Sequence, residues 1–312
     1  MSRREFLKTA AIAGLTAAAA PAVAAAAAAP QGNTMPYIRL GNELVTRFIA
    51  GWNPIGGNAH AVPSLAKHML EYFTPERTNE FLLNCENAGI NAWQCSHGDR
   101  AKAACEHLRK RNSKLKILVL HAERRQDALI KDVIKDTDCI ALIHHGNVTD
   151  SLFRAGKFEQ VKDYLKKVHD AGILAGVSSH CPDHIKRVAD EDWENDFFMT
   201  CFYYITRPVN EQQRTMGKVV LGEPFLVSDP DEMTDIVKQV SKPCLAFKIL
   251  GAGRQCQSPI STEQAFKYAF DKIKQIDGVV VGMYPVFRDE IKENVAFTVK
   301  YGSGVKPTGG NQ

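Results

Sequence analysis

Cysteine pairs at redox or metal spacing are missing: the chain has eight cysteines, and no two of them stand in a C-x-x-C arrangement. Cys95, Cys139, Cys201 and Cys244 lie inside apolar runs, where a free thiol behaves as a small hydrophobe, so a disulfide framework is not expected. A dominant charge is missing as well. The formal net charge is +4 over 312 residues, and no Lys/Arg stripe alternates with aromatics, so nothing argues for nucleic acid as a partner. No Pro/Gly/Ser linker divides the chain, and beyond its first thirty residues no apolar run is long enough to cross a membrane. No H-x-H or H-x-x-x-H pair falls on a single expected element, so spacing alone announces no metal site.

What is present starts with a leader. Ser2-Arg3-Arg4-Glu5-Phe6-Leu7-Lys8 precedes an alanine-rich stretch from Ala10 to Ala29, the pattern of a twin-arginine export signal cleaved between Ala24 and Ala29. A permanent membrane anchor fits less well, because the stretch is alanine-dominated and contains Pro21. Residues 1–30 are therefore expected to be removed, and residues 31–312 to form one domain. The route carries folded proteins, so the expected location is periplasmic or otherwise extracytoplasmic, with the twin-arginine translocation machinery as a passing partner.

The stretch from Cys139 to Cys181 shows how the rest is built. An apolar run (Cys139 to Ile143) ends in His144-His145-Gly146-Asn147, a helix-like segment follows, and a second run (Ile173 to Ser179) ends at His180. Short apolar runs joined through a helix read as parallel strands buried on both faces. The unit repeats. Strand-like runs at Val45–Gly51, Ile90–Cys95, Lys116–Leu120, Phe197–Phe202, Pro243–Leu250 and Gly278–Gly282 complete eight strands. Helix signals between them include Thr74-Pro75-Glu76 and the apolar face Phe158, Val161, Tyr164, Leu165, Val168. Eight alternations in about 280 residues predict an α/β fold, a (β/α)8 TIM barrel. Between about 204 and 229 the alternation breaks, and a loop of that length is usually functional, often a lid.

Five of the ten histidines (His97, His121, His144, His145, His180) stand at the ends of the second to fifth strands. Strand ends in a barrel converge on one mouth, so His97, His121, His144 and His180, with Glu123 and Asp99, are candidates for a common site. His144 and His145 must point to opposite faces, and His144 is expected to face the mouth. Two chemistries suit such a cluster: general acid/base work at a carbonyl, or a divalent ion such as Zn or Mn on His121, Glu123, His144 and His180 serving an isomerase, epimerase or lyase. A non-catalytic binding protein using the long loop as a clamp is a third reading.

Several motifs resemble the aldo/keto reductases: Gly89-Ile90-Asn91-Ala92-Trp93, Ile140-Ala141-Leu142-Ile143-His144, Gly176-Val177-Ser178-Ser179-His180-Cys181-Pro182, Leu245-Ala246-Phe247-Lys248-Ile249-Leu250-Gly251-Ala252-Gly253-Arg254, and Val280-Val281-Gly282-Met283 with Glu293-Asn294-Val295. They run in order over essentially all of the chain beyond the leader. The resemblance implies a barrel binding NADP(H) in an extended pose and acting on a sugar or other small hydroxy-carbonyl compound. It implies cofactor contacts at Ser178, Tyr203, Gly251, Arg254, Gly282, Glu293 and Asn294. The family's Asp, Tyr, Lys and His positions read here as Gln94, His97, the Leu120–His121 region and His144, so the proton would have to come from His97 or His121.

Overall fold

The structure is a computed structural model that describes residues 34–303; the leader, and with it the expected cleavage, lies outside the described residues. Two short strands, β1 (Tyr37–Leu40) and β2 (Glu43–Thr46), form an antiparallel hairpin. Eight strands follow: β3 (Phe48–Gly51), β4 (Ala92–Ser96), β5 (Lys116–His121), β6 (Ala141–His144), β7 (Leu174–Ser179), β8 (Phe197–Cys201), β9 (Cys244–Phe247) and β10 (Gly278–Gly282). Each pairs in parallel with its neighbours, and β10 pairs with β3 to close the ring. The fold is the expected (β/α)8 barrel. The connecting helices are α1 (Pro63–Tyr72), α2 (Pro75–Asn87), α3 (Asp99–Lys110), α4 (Ile130–Thr137), α5 (Gly146–Arg154), α6 (Glu159–Asp170), α7 (Pro182–Asp190), α8 (Val209–Met216), α9 (Asp229–Gln239), α10 (Pro259–Lys272) and α11 (Glu290–Tyr301).

Alternation along each strand sorts the core into two layers. Ile49, Leu118, Ile143, Phe197, Met199, Leu245 and Val280 fill the barrel. Trp93, Val119, Leu142, Val177 and Phe198 face outward and pack beneath the helices. Among the described residues no helix is long and apolar enough to cross a membrane.

The expected continuous strand Val45–Gly51 breaks at Arg47. Its guanidinium is fully buried and donates to the carbonyls of Asp277 (2.7 Å), Lys274 (2.6 Å) and Ser303 (3.1 Å). Burial lowers its pKa to about 10 against the pull of Asp277. Those acceptors turn the chain at residue 47, so the preceding half folds back as the hairpin, whose Ile38, Leu40 and Val45 join the interior cluster. Helices α1, α5 and α8 were not expected. All eight cysteines are free and seven are buried. Burial pushes the Cys95 thiol well up, reinforced by Cys105 and Cys139 beside it.

The barrel closes tightly at Gly51, where an added Cβ would lie 2.6 Å from the backbone nitrogen of Gly282. That neighbour is strand backbone held in the ring, so it has little room to retreat. Gly51→Ala is expected to cost about 2 kcal/mol or more, read as a lowered urea midpoint.

Candidate functional site

The strand ends open on a cavity of about 480 Å³, within the range of small-molecule sites. Its floor includes Gln94, Leu120, Met199 and Phe247, all from inward strand positions. Its walls come from the loop after β3 (Trp52 to His60), the loop after β9 (Lys248 to Ser258) and the loop after β10 (Tyr284, Phe287, Arg288). The lining is mostly apolar, with Lys248, His60, Arg288 and Glu290 as its basic and acidic members.

Register decides which of the expected histidines reach this mouth. His121 and His144 are partners across β5 and β6, on the same parity as outward-facing Val119 and Leu142. His121 bonds Tyr164 Oη (3.1 Å) and the Ala128 carbonyl (2.9 Å); His144 bonds Thr149 Oγ1 (2.7 Å), and its ring packs edge-on to Tyr164. Both stand in the layer between strands and helices, so the expectation that His144 faces the mouth is corrected. His97 turns sideways to Asp136 (3.1 Å), which also pairs with Lys102. Glu123 pairs with Lys167 at the exposed rim (2.6 Å). Of these candidates only His180 turns inward: it does not itself line the cavity, but its ring packs edge-on to that of Phe247 in the floor, centroids 5.5 Å apart. Among the described residues no group of three His, Cys, Asp or Glu side chains is placed to hold a metal ion.

His180 belongs to a network that sequence reasoning missed. Asp150, on α5, is fully buried. Its Oδ2 accepts from His180 Nδ1 (2.9 Å) and Thr206 Oγ1 (2.8 Å); its Oδ1 accepts from His184 Nδ1 (3.0 Å) and from the Ser179 hydroxyl. Burial raises the Asp150 pKa, yet these hydrogen bonds, first from His180 and then from His184, outweigh it and hold the carboxyl well below the usual range. The two imidazoles respond differently. Burial lowers His180 despite Asp150, with Lys248 and His60 opposing its charge further. His184 is also opposed by burial, but Asp150 carries it up to about 9. The charge balance is thus Asp150 with a cationic His184, leaving His180 neutral, Nδ1–H toward the carboxylate and Nε2 free as a base. Gly146 leaves room for that ring: a Cβ there would sit 2.9 Å from His180 Cε1. One signal was available, since His180 and His184 are four residues apart across a strand end and the first turn of α7.

The segment after β8 reaches across the mouth. Its root is anchored by buried Arg207, which pairs with Asp229 (2.7 Å) and Glu211 (2.9 Å). Farther along, Glu223 pairs with His60 (2.8 Å). Phe225 is sandwiched: its ring lies 5.0 Å from Tyr203, and the Arg254 guanidinium stands 3.7 Å above it.

The residues implied by family resemblance are placed as follows. Gly282 lines the cavity. Gly251 lies in the loop after β9, near the Tyr203 hydroxyl, and Arg254 donates to the carbonyls of His60 and Gly251. Ser178 is buried beneath Gly146. Glu293 faces Arg288 (3.6 Å), and Asn294 is buried on α11. For a dinucleotide, the rim half is apt: Arg288 stands beside the N-terminus of α10, where Ser258 forms a capping box with Ser261. The ring half is covered, because Phe225 occupies a face of Tyr203.

No protein-family model and no curated protein sequence matches the chain. Solved structures share its shape. Aldo-keto reductase AKR11C1 from Bacillus halodurans, in its holo form, superimposes with a TM-score of 0.56 at 12% identity, covering 88% of this chain and 93% of that one. Gox0644 in its apo form gives 0.53 at 11% identity, covering 89% and 91%. These likenesses are of fold.

The buried imidazoles set the response to acid. His144 titrates at about 3 and His145 at about 4, burial being the first cause in each, against 6.5 when exposed. The unfolded chain therefore takes up these protons first. Their contribution is complete above pH 6.5 and is lost as pH falls toward 4, by about 1.4 kcal/mol per pH unit for each imidazole. His184 acts oppositely, losing its contribution as pH rises through about 9. Urea midpoints are expected to fall below pH 6.5, and to fall less steeply in His144→Gln.

Proposed function

We propose that the chain is a barrel enzyme of aldo/keto reductase type, acting on a sugar or other small hydroxy-carbonyl compound with NADP(H). The observation that carries this reading is the cavity between the loops after β9 and β10, the place where barrel enzymes commonly hold phosphate groups. The nucleotide's phosphates would lie toward Arg288 and the N-terminus of α10, and Gly282 would border it. When bound, the nicotinamide would supply or accept hydride. Its ring would reach Tyr203 only after Phe225 leaves, so the segment over the mouth must open for binding.

The proton is assigned to His180. Asp150 fixes its tautomer and orientation, as a buried carboxylate does for an imidazole base, and its Nε2 is the atom that would hold or release the proton at the substrate oxygen. This replaces His121, both of whose nitrogens are hydrogen-bonded under the helices, and His97, whose Nε2 is turned to Asp136. The apolar floor and the overlying segment would keep water from the reacting carbonyl. The leader further suggests export by the twin-arginine route, with the nucleotide carried inside the folded protein.

NADPH fluorescence titration is the direct test. Saturable binding is expected, and Arg288→Ala should weaken it about tenfold, roughly 1.4 kcal/mol. His180→Gln should lower kcat for a responsive aldehyde by about a hundredfold with little change in nucleotide affinity. No nucleotide binding at any concentration removes the oxidoreductase reading; a sugar that stabilises the protein without turnover would then favour a binding protein. For export, N-terminal sequencing of the mature protein should begin within or just after residues 24–29 and outside the cytoplasm; a full-length cytoplasmic product would end that proposal.

A further inference from the structure

Strand alternation should place Phe247 and Lys248 on opposite faces, yet both line the cavity. The reason is local. Lys248 has a left-handed backbone, φ 58°, immediately after β9, and Gly251, Ala252 and Gly253 continue with positive φ. A lysine gains nothing intrinsic from that conformation, and such outliers persist where the surrounding structure enforces them, commonly at functional sites. Here the turn brings a second consecutive side chain to the mouth.

The ammonium so placed has no counter-ion. Among the described residues, no ion pair or hydrogen bond engages Lys248 Nζ, which stands 5.7 Å from the centroid of the Phe247 ring. Glu223, which would be the natural partner, is taken by His60. Burial lowers the Lys248 pKa, with Arg254 adding to the effect and Cys201 and Glu223 opposing it. The Lys248 charge in turn disfavours protonation of His180, helping to keep that imidazole neutral. A desolvated, unpaired lysine beside an imidazole base is the arrangement that makes an amine nucleophilic.

We propose that Lys248 is a carbonyl-trapping amine, forming a Schiff base with small aldehydes or ketones that enter the cavity. The Nζ lone pair adds to the carbonyl carbon, and the carbonyl π pair moves to oxygen. The nitrogen pair then re-forms a C=N bond as that oxygen departs with both amine hydrogens as water. His180 relays the proton, and nothing is oxidised or reduced. Because no nucleotide takes part, this activity stands or falls separately from the NADP(H) reading.

The test is reductive trapping of the full protein, without nucleotide, using glyceraldehyde and sodium cyanoborohydride near neutral pH, followed by peptide mapping. The expected result is a secondary-amine adduct on Lys248 ahead of every exposed lysine, such as Lys110 or Lys166, with nearly all of this early label lost in Lys248→Arg. The wild-type map alone decides if that variant does not fold. An unmodified Lys248 beside labelled surface lysines, or labelling spread without preference, overturns the assignment.

Discussion

The two-residue period of a strand governs this molecule. In a closed ring of parallel strands each side chain must point either into the barrel or under the helices, and neighbouring strands in register share that choice. His121 and His144, paired across β5 and β6, are thereby sent outward together to Tyr164. His180, on the parity of Ser178 and Gly176, is sent inward. The chemistry at the mouth is decided by that parity more than by the abundance of histidine at strand ends. Where the molecule needs an exception, at Lys248, it breaks the strand with a left-handed residue.

Sequence alone disclosed the barrel because its evidence is repeated: eight apolar runs, each followed by a helix signal such as Thr74-Pro75, where the Thr74 hydroxyl does cap α2. The site was less legible because it is assembled from exceptions. Asp150 looks like an ordinary polar position on a short helix, and only the folded chain brings it to His180 and His184. Arg47 sits in an apolar run, and its role as the pivot of the hairpin depends on carbonyls more than two hundred residues away. Helix α8 is short and polar, so it has no apolar period to detect. Its boundaries were nonetheless written in Pro208 before it and Gly217 after it, the latter in a left-handed cap.

Asp150 also ties the mouth to the segment that covers it. The same Oδ2 accepts from His180 Nδ1 and from Thr206 at the root of that segment. A carboxylate shared between His180 and Thr206 makes the basicity of that imidazole sensitive to the position of the segment's root. Withdrawal of Thr206 would remove a hydrogen bond from Asp150, concentrate its charge on His180 and strengthen that base. On the proposed reading, opening of the mouth and readiness for proton transfer would be coupled through a single oxygen.

The thiols carry a consequence of a different kind. Seven of the eight are sealed inside the fold, and only Cys256, at the cavity wall, is partly accessible. A thiol reacts as its thiolate, and burial pushes up the thiols of Cys85, Cys95, Cys139, Cys201 and Cys244, so those sulfurs are shielded from oxidants in the folded protein. The nascent chain is not: with no native bridges to select, any bond made between its sulfurs would be a mistake. If the chain is exported as proposed, its survival outside a reducing compartment would be a question of sequence in time, folding before exposure, with the shelter of its sulfurs acquired at the moment the barrel closes.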